Sequence, residues 1–82
     1  MRLDKYLKVS RLIKRRTVAN EACDGGRVTV NGKVARASYD VKAGDVIALH
    51  FGERVRAVEV LDVSETAGKS EASLLYREVN AQ

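Results

Sequence analysis

The sequence predicts an α+β domain with segregated elements, two short helices followed mostly by strands. Three observations carry this. Apolar residues recur at helical spacing within the first 24 positions. Asn31-Gly32 lies between two alternating runs, the strongest short hairpin signal. Valine-rich stretches then fill positions 46–63. The 82 residues make one domain, 1–82, with a core over 1–63 and a C-terminal element over 64–82. A chain this small buries only about 60–65% of the surface its unfolded form exposes. Its core is therefore thin, with no room for a catalytic domain beside it.

Taken in order, Leu3, Tyr6 and Leu7 share one helical face, and Arg2, Lys5 and Lys8 the complementary positions. That predicts a helix over Leu3–Val9, broken at Ser10 and Arg11. Leu12 and Ile13 read as a buried connector. Thr17 is an N-cap candidate for a second helix over 18–24. Val18, Ala19, Ala22 and Cys23 line its apolar face, and Gly25-Gly26 supplies a left-handed stop. Arg27–Ala35 forms the hairpin. Arg36–Asp40 is a loop, Val41 tucks in, and Lys42–Asp45 is a turn. Val46–Phe51 is a strand, Gly52-Glu53 a turn, and Arg54–Val63 another strand. Glu65–Ser70 is a polar loop. Ser70–Val79 favours a short helix capped by Ser70, with a terminal strand as the alternative.

Charge divides the chain unevenly. Residues 1–16 carry Arg2, Lys5, Lys8, Arg11, Lys14, Arg15 and Arg16 against Asp4 alone, which is +6. The other sixty-six residues sum to −2, so one end holds all of the net +4. Such polarisation points to an anionic partner, nucleic acid ahead of a membrane surface. The cations are not interleaved with acids, as on a salt-bridged solvated face. The Lys14-Arg15-Arg16 triplet also precedes a helix start, where free N–H groups and the dipole favour anions.

Enzyme signatures are absent. His50 is the single histidine and lies in a strand, which suits a structural or surface role. One histidine and one cysteine make no zinc site. The glycines belong to a helix stop and a hairpin, not to a phosphate loop. Cys23 reads as a small buried apolar residue, and a lone thiol fits a reducing, cytoplasmic compartment. No apolar run approaches the ~20 residues that span a bilayer, and charges interrupt any secretory-signal core. Tyr6 is expected in the core. Tyr39 is then the one loop aromatic, poor material for stacking unpaired bases.

Several motifs form a set. They are Arg2-Leu3-Asp4-Lys5-Tyr6-Leu7, Ser10-Arg11-Leu12, Lys14-Arg15-Arg16-Thr17, Gly26-Arg27-Val28-Thr29-Val30-Asn31-Gly32-Lys33-Val34, and Val41-Lys42-Ala43-Gly44-Asp45-Val46-Ile47. In this order, over residues 1–51, the chain resembles the RNA-binding domain family named after small-subunit ribosomal protein S-four. The resemblance implies two helices packed on a small, mainly antiparallel sheet, with helices and hairpin edge forming an RNA-binding face. The run Arg2–Thr17, with Asp40–Asp45 and Phe51-Gly52, is further similar to stand-alone family members of bacterial ribosome-associated quality control. A sister group, the heat-shock S-four-domain proteins, shares an ending like Glu71–Tyr76 but carries a long basic tail. Ala43 departs from the pattern, where relatives often have proline, and would loosen one turn.

The resemblance implies a non-enzymatic factor, without metal or cofactor, that binds large ribosomal subunits obstructed by peptidyl-tRNA. Its partners would be large-subunit rRNA, that tRNA, and an RqcH-like factor that adds a C-terminal alanine tail to the stalled chain. A cytoplasmic, ribosome-associated protein is implied, and a single basic face with no obvious apolar patch suggests a monomer off the ribosome. Carried over by position, Arg2, Asp4 and Arg16 are the foremost RNA-binding residues. Lys5, Arg11, Lys14 and Arg15 are supporting phosphate contacts, and Lys8 and Thr17 complete the set. Asp4 cannot attract phosphate. It would orient an arginine, favour the positive helix end, or accept a hydrogen bond from RNA. The rivals are a heat-shock-type recycling protein, a protein-interaction module, and a detached accessory domain of an RNA-modifying enzyme.

Overall fold

The computed structural model describes residues 1–63 and 75–79. Two helices, α1 (Leu3–Val9) and α2 (Arg16–Asp24), precede five strands. The strands are β1 (Val28–Val30), β2 (Lys33–Val34), β3 (Val46–Phe51), β4 (Arg54–Val60) and β5 (Tyr76–Val79). They form one antiparallel sheet in the order β2-β1-β3-β4-β5. The α+β architecture with segregated elements is as the sequence predicts.

The helices cover one face of the sheet. Leu3, Tyr6 and Leu7 of α1 and Ala19, Ala22 and Cys23 of α2 are buried. They meet Val28, Val30, Ile47, Leu49, Val58 and Val60 from the strands, with Ala35, Ala37 and Val41 from the linker. Each fully buried Leu, Ile or Val is worth about 1.5–3 kcal/mol. Ile13 joins this core, while Leu12 is only partly buried against it. Tyr6 buries its ring and donates its hydroxyl proton to the Leu75 carbonyl at 2.6 Å. Desolvation raises the Tyr6 pKa well above the usual phenol value, so it remains a donor.

Turn chemistry fixes the ends. Arg11 follows α1 at φ 64°, a left-handed conformation costing roughly 1–2 kcal/mol in a non-glycine residue. After α2, Gly26 (φ 80°) donates to the Cys23 carbonyl, and Arg27 N–H to that of Ala22. This paired bonding is the Schellman motif. In the hairpin, Asn31 (φ 54°) and Gly32 (φ 84°) give the turn whose twist suits flanking strands. The Asn31 side chain also bonds Asp45 and Val46 N–H, tying the hairpin to β3.

Four expectations need correction. The second helix starts at Arg16, and Thr17 lies inside its first turn rather than at the N-cap. The cap is Arg15, in extended conformation with no side-chain bond. Its carbonyl accepts the first helical hydrogen bond, from Ala19 N–H. Val18 is exposed, off the buried stripe of α2. The strand expected over Arg54–Val63 ends at Val60. The C-terminal stretch contributes strand β5 where a helix was favoured, because β4 offers an unpaired edge that Tyr76–Val79 fills. Arg56 supports that pairing by bonding Glu78 while lying 5.7 Å from the Tyr76 ring centre. The Glu65–Ser70 loop and the Ser70 cap lie outside the described residues.

Candidate nucleic-acid interface

The N-terminal strap is held where it can present a site. Leu3 N–H donates to the Tyr39 carbonyl (2.8 Å) and Asp4 N–H to that of Ala37 (3.2 Å). Val41 N–H donates to the Met1 carbonyl, and the Met1 amine pairs with Asp40 at 2.8 Å. Lys5 N–H turns to the Asp4 carboxylate (2.8 Å), and Tyr6 N–H bonds the Arg2 carbonyl. Every N-terminal donor of α1 is therefore satisfied within the protein. The first helix end offers no free N–H for an anion; side chains supply what recognition this end can make.

Those side chains converge on one carboxylate. Asp4 is buried, with its side chain 3% exposed, yet Arg2 and Arg16 around it are about half exposed. Arg2 Nε donates to Asp4 Oδ1 at 3.2 Å, and Arg2 Nη2 to Oδ2 at 3.4 Å. Arg16 Nε lies 3.5 Å from Oδ2, and Asn20 Nδ2 donates to the same oxygen at 3.3 Å. Burial alone would raise the Asp4 carboxyl pKa. Hydrogen bonds from Arg2, Asn20 and Lys5 N–H, with the charge of Arg16, outweigh burial and hold it below the ordinary value. Asp4 is thus an ionised hub that aims two guanidiniums. Of the three roles open to it, this geometry supports two: it orients the arginines and, through Lys5 N–H, meets the positive end of α1.

Arg2, Asp4, Arg16 and Thr17, with Asn20 and Glu21, line an open groove between the starts of the two helices. Lys8, Arg11 and Lys14 line a second, separate concavity at the far end of α1. The nine residues expected from sequence thus include two groups, one of four and one of three. Arg15 caps α2 between them. Lys5 lies on α1, half-buried. Asn20 and Glu21 escaped the sequence reading, which sought cations. Their signal was helical spacing, since Asn20 is four residues from Arg16 and Glu21 four from Thr17.

Among the described residues, no group of three or more His, Cys, Asp or Glu could hold a metal ion. Burial pushes the Cys23 thiol up to about 12, aided by Asp4 and Asp24, so it stays protonated and inert. His50 is half-buried in β3, outside both grooves. No helix among the described residues is long and apolar enough to cross a membrane.

A family model described as the S4 domain matches residues 1–47. The chain is 59% identical over 76 residues to the "RQC P-site tRNA stabilizing factor" of Halalkalibacterium halodurans, covering 93% of this chain and 86% of that protein. To the protein of the same name from Bacillus subtilis it is 53% identical, covering 93% and 88%. Among solved structures, Vibrio cholerae heat shock protein 15, described as trimeric, superposes with a TM-score of 0.86 at 36% identity. That alignment covers 96% of this chain and 81% of that one.

Proposed function

The chain belongs to the S4-domain family, and on that premise we propose that it is a non-enzymatic RNA-binding factor of bacterial ribosome quality control. It binds large subunits obstructed by peptidyl-tRNA, touching both large-subunit rRNA and the tRNA. There it supports alanine tailing of the stalled chain by an RqcH-like factor. It works in the cytoplasm and is a monomer off the ribosome. The observation that carries the reading is the convergence of Arg2 and Arg16 on buried Asp4. Two guanidiniums fixed side by side, each with outer N–H groups to spare, suit the forked recognition of phosphate. The names of the relatives at 59% and 53% identity support the ribosomal setting. Duplex RNA hides its base edges in a deep major groove, so recognition is by shape and backbone.

The test is co-sedimentation with free large subunits on sucrose gradients. Arg2→Ala and Arg16→Ala each weaken association at moderate salt while leaving the fold intact by circular dichroism. Undiminished association of both variants sinks the site. Nuclease treatment of a pull-down separates the rival protein-docking role, in which the partner survives digestion. The likeness to heat shock protein 15 favours a second reading, recycling of stalled large subunits. Loss of alanine tailing in cells lacking this protein decides for the first.

A further inference from the structure

We propose that the groove between α1 and α2 takes a ribonucleotide rather than a bare phosphate, with Glu21 accepting a hydrogen bond from a ribose 2′-hydroxyl. This rests on the RNA-binding reading of the same groove and adds which chemical group it selects.

The groove is not lined by cations alone. Glu21 shares it with Arg2 and Arg16, and it is exposed. Its carboxylate makes no hydrogen bond or ion pair among the described residues, although Asp4 beside it binds both arginines. Asn20 adds a second acceptor. An ionised carboxylate only accepts, so the Asn20 amide must turn its Nδ2 to Asp4. That leaves the Asn20 Oδ1 as an acceptor with no protein donor among the described residues. Thr17 contributes a hydroxyl on the same wall.

A phosphodiester has no proton to donate and is repelled by Glu21. A groove for phosphate alone gains nothing from an unpaired acid. The matching ligand therefore carries donors beside its anionic oxygens. In A-form RNA every nucleotide displays a 2′-hydroxyl on the shallow minor groove near its phosphate, whatever the sequence. A guanine amine also donates there, but only where a particular base falls in register. Shape-based recognition favours the hydroxyl, which is also the group that distinguishes RNA from DNA.

The test uses the full chain and an RNA duplex of about 16 base pairs, the length a minor-groove reader spans. A second duplex carries 2′-fluoro groups, which keep the A-form but cannot donate. Fluorescence anisotropy should show the wild type binding the fluoro duplex roughly 3–10-fold more weakly, the worth of one net hydrogen bond. Glu21→Ala should reduce that ratio to about one. Glu21→Gln, which keeps an acceptor oxygen, should retain the preference. A ratio unchanged in Glu21→Ala overturns the proposal. So does equal tightening of both duplexes by both variants, because Glu21 would then act only as repulsive charge. A Glu21 effect that vanishes on replacing guanosine by inosine assigns the donor to a base amine and also overturns it. If the wild type does not bind the duplex at low salt, the RNA-binding reading itself falls; if Arg2→Ala and Arg16→Ala bind it undiminished, the groove is not the RNA site and the proposal falls with it.

Discussion

Asp4 concentrates the chemistry that single residues contribute. Removing a negative charge from a basic surface should, by charge counting, tighten RNA binding. Asp4→Asn should do the reverse, because Arg2 and Arg16 lose the anion that aims them. The same change should cost about 1–3 kcal/mol of stability, the usual penalty for unpairing a buried polar group. Thermal melts and gradient binding check the two halves. The Asp4 pKa is lowered on folding, so its contribution is fully present above the ordinary value of 3.8 and lost as pH falls below it. Wild-type melting temperature should hold from neutrality to about pH 4 and then drop, and Asp4→Asn should show a shallower acid limb. Arg11 makes the opposite bargain. It holds a strained φ of 64° while placing its charge beside Lys8 and Lys14. Arg11→Gly should raise stability by about 1 kcal/mol, or roughly 4–8 °C, and weaken RNA binding. The cations were legible in the sequence as a +6 stretch. Their division into two sites was not, since nothing local says that Arg2 and Arg16 meet on one carboxylate while Lys8, Arg11 and Lys14 gather elsewhere.

Elements were legible in proportion to the strength of their local signals. Helix α1 falls at Leu3–Val9, as its apolar spacing predicts, and the Asn31-Gly32 hairpin and β3 also match. Thr17 misled because a good capping residue need not cap. The start of α2 is fixed by tertiary contact, Arg16 being held against Asp4 of α1. The C-terminal stretch misled for a related reason. Tyr76–Val79 has no decisive propensity of its own, and the open edge of β4 makes it a strand. At the end of α2, Gly26 is required by its φ of 80°. Gly26→Ala should destabilise the fold by about 1–2 kcal/mol, and Gly26→Asn by less, because asparagine tolerates the left-handed region. Melts followed by far-ultraviolet circular dichroism measure both.

At the scale of the molecule, two helices and a linker cover one face of a five-stranded sheet, and Arg2, Lys8, Arg11, Lys14, Arg15 and Arg16 are exposed at the N-terminal end. If four or five of its cations neutralise phosphates, the binding constant should fall steeply with salt. Its log–log slope would be about −0.7 to −0.9 per contact. Arg16→Ala should flatten that slope by nearly one contact, and a salt-independent affinity would exclude a phosphate-reading face. The fold class was readable from element order because short, strongly patterned segments decide it. From charge alone the partner was readable only as an anion, and it took the motif set to narrow it to ribosomal RNA and tRNA; the groove's acceptors stayed hidden because they lie on a helix face that carries no charge run.

The sharing of Asp4 by Arg2, Arg16 and Asn20 has a bearing on inheritance. Residues that answer to one carboxylate cannot drift independently, and their substitutions should be epistatic. In a double-mutant cycle, Asp4→Asn in an Arg16→Ala background should cost less than it does alone, with a coupling of about 0.5–3 kcal/mol. A lineage that lost one member would relax selection on the others, so the groove should be kept or abandoned as a unit.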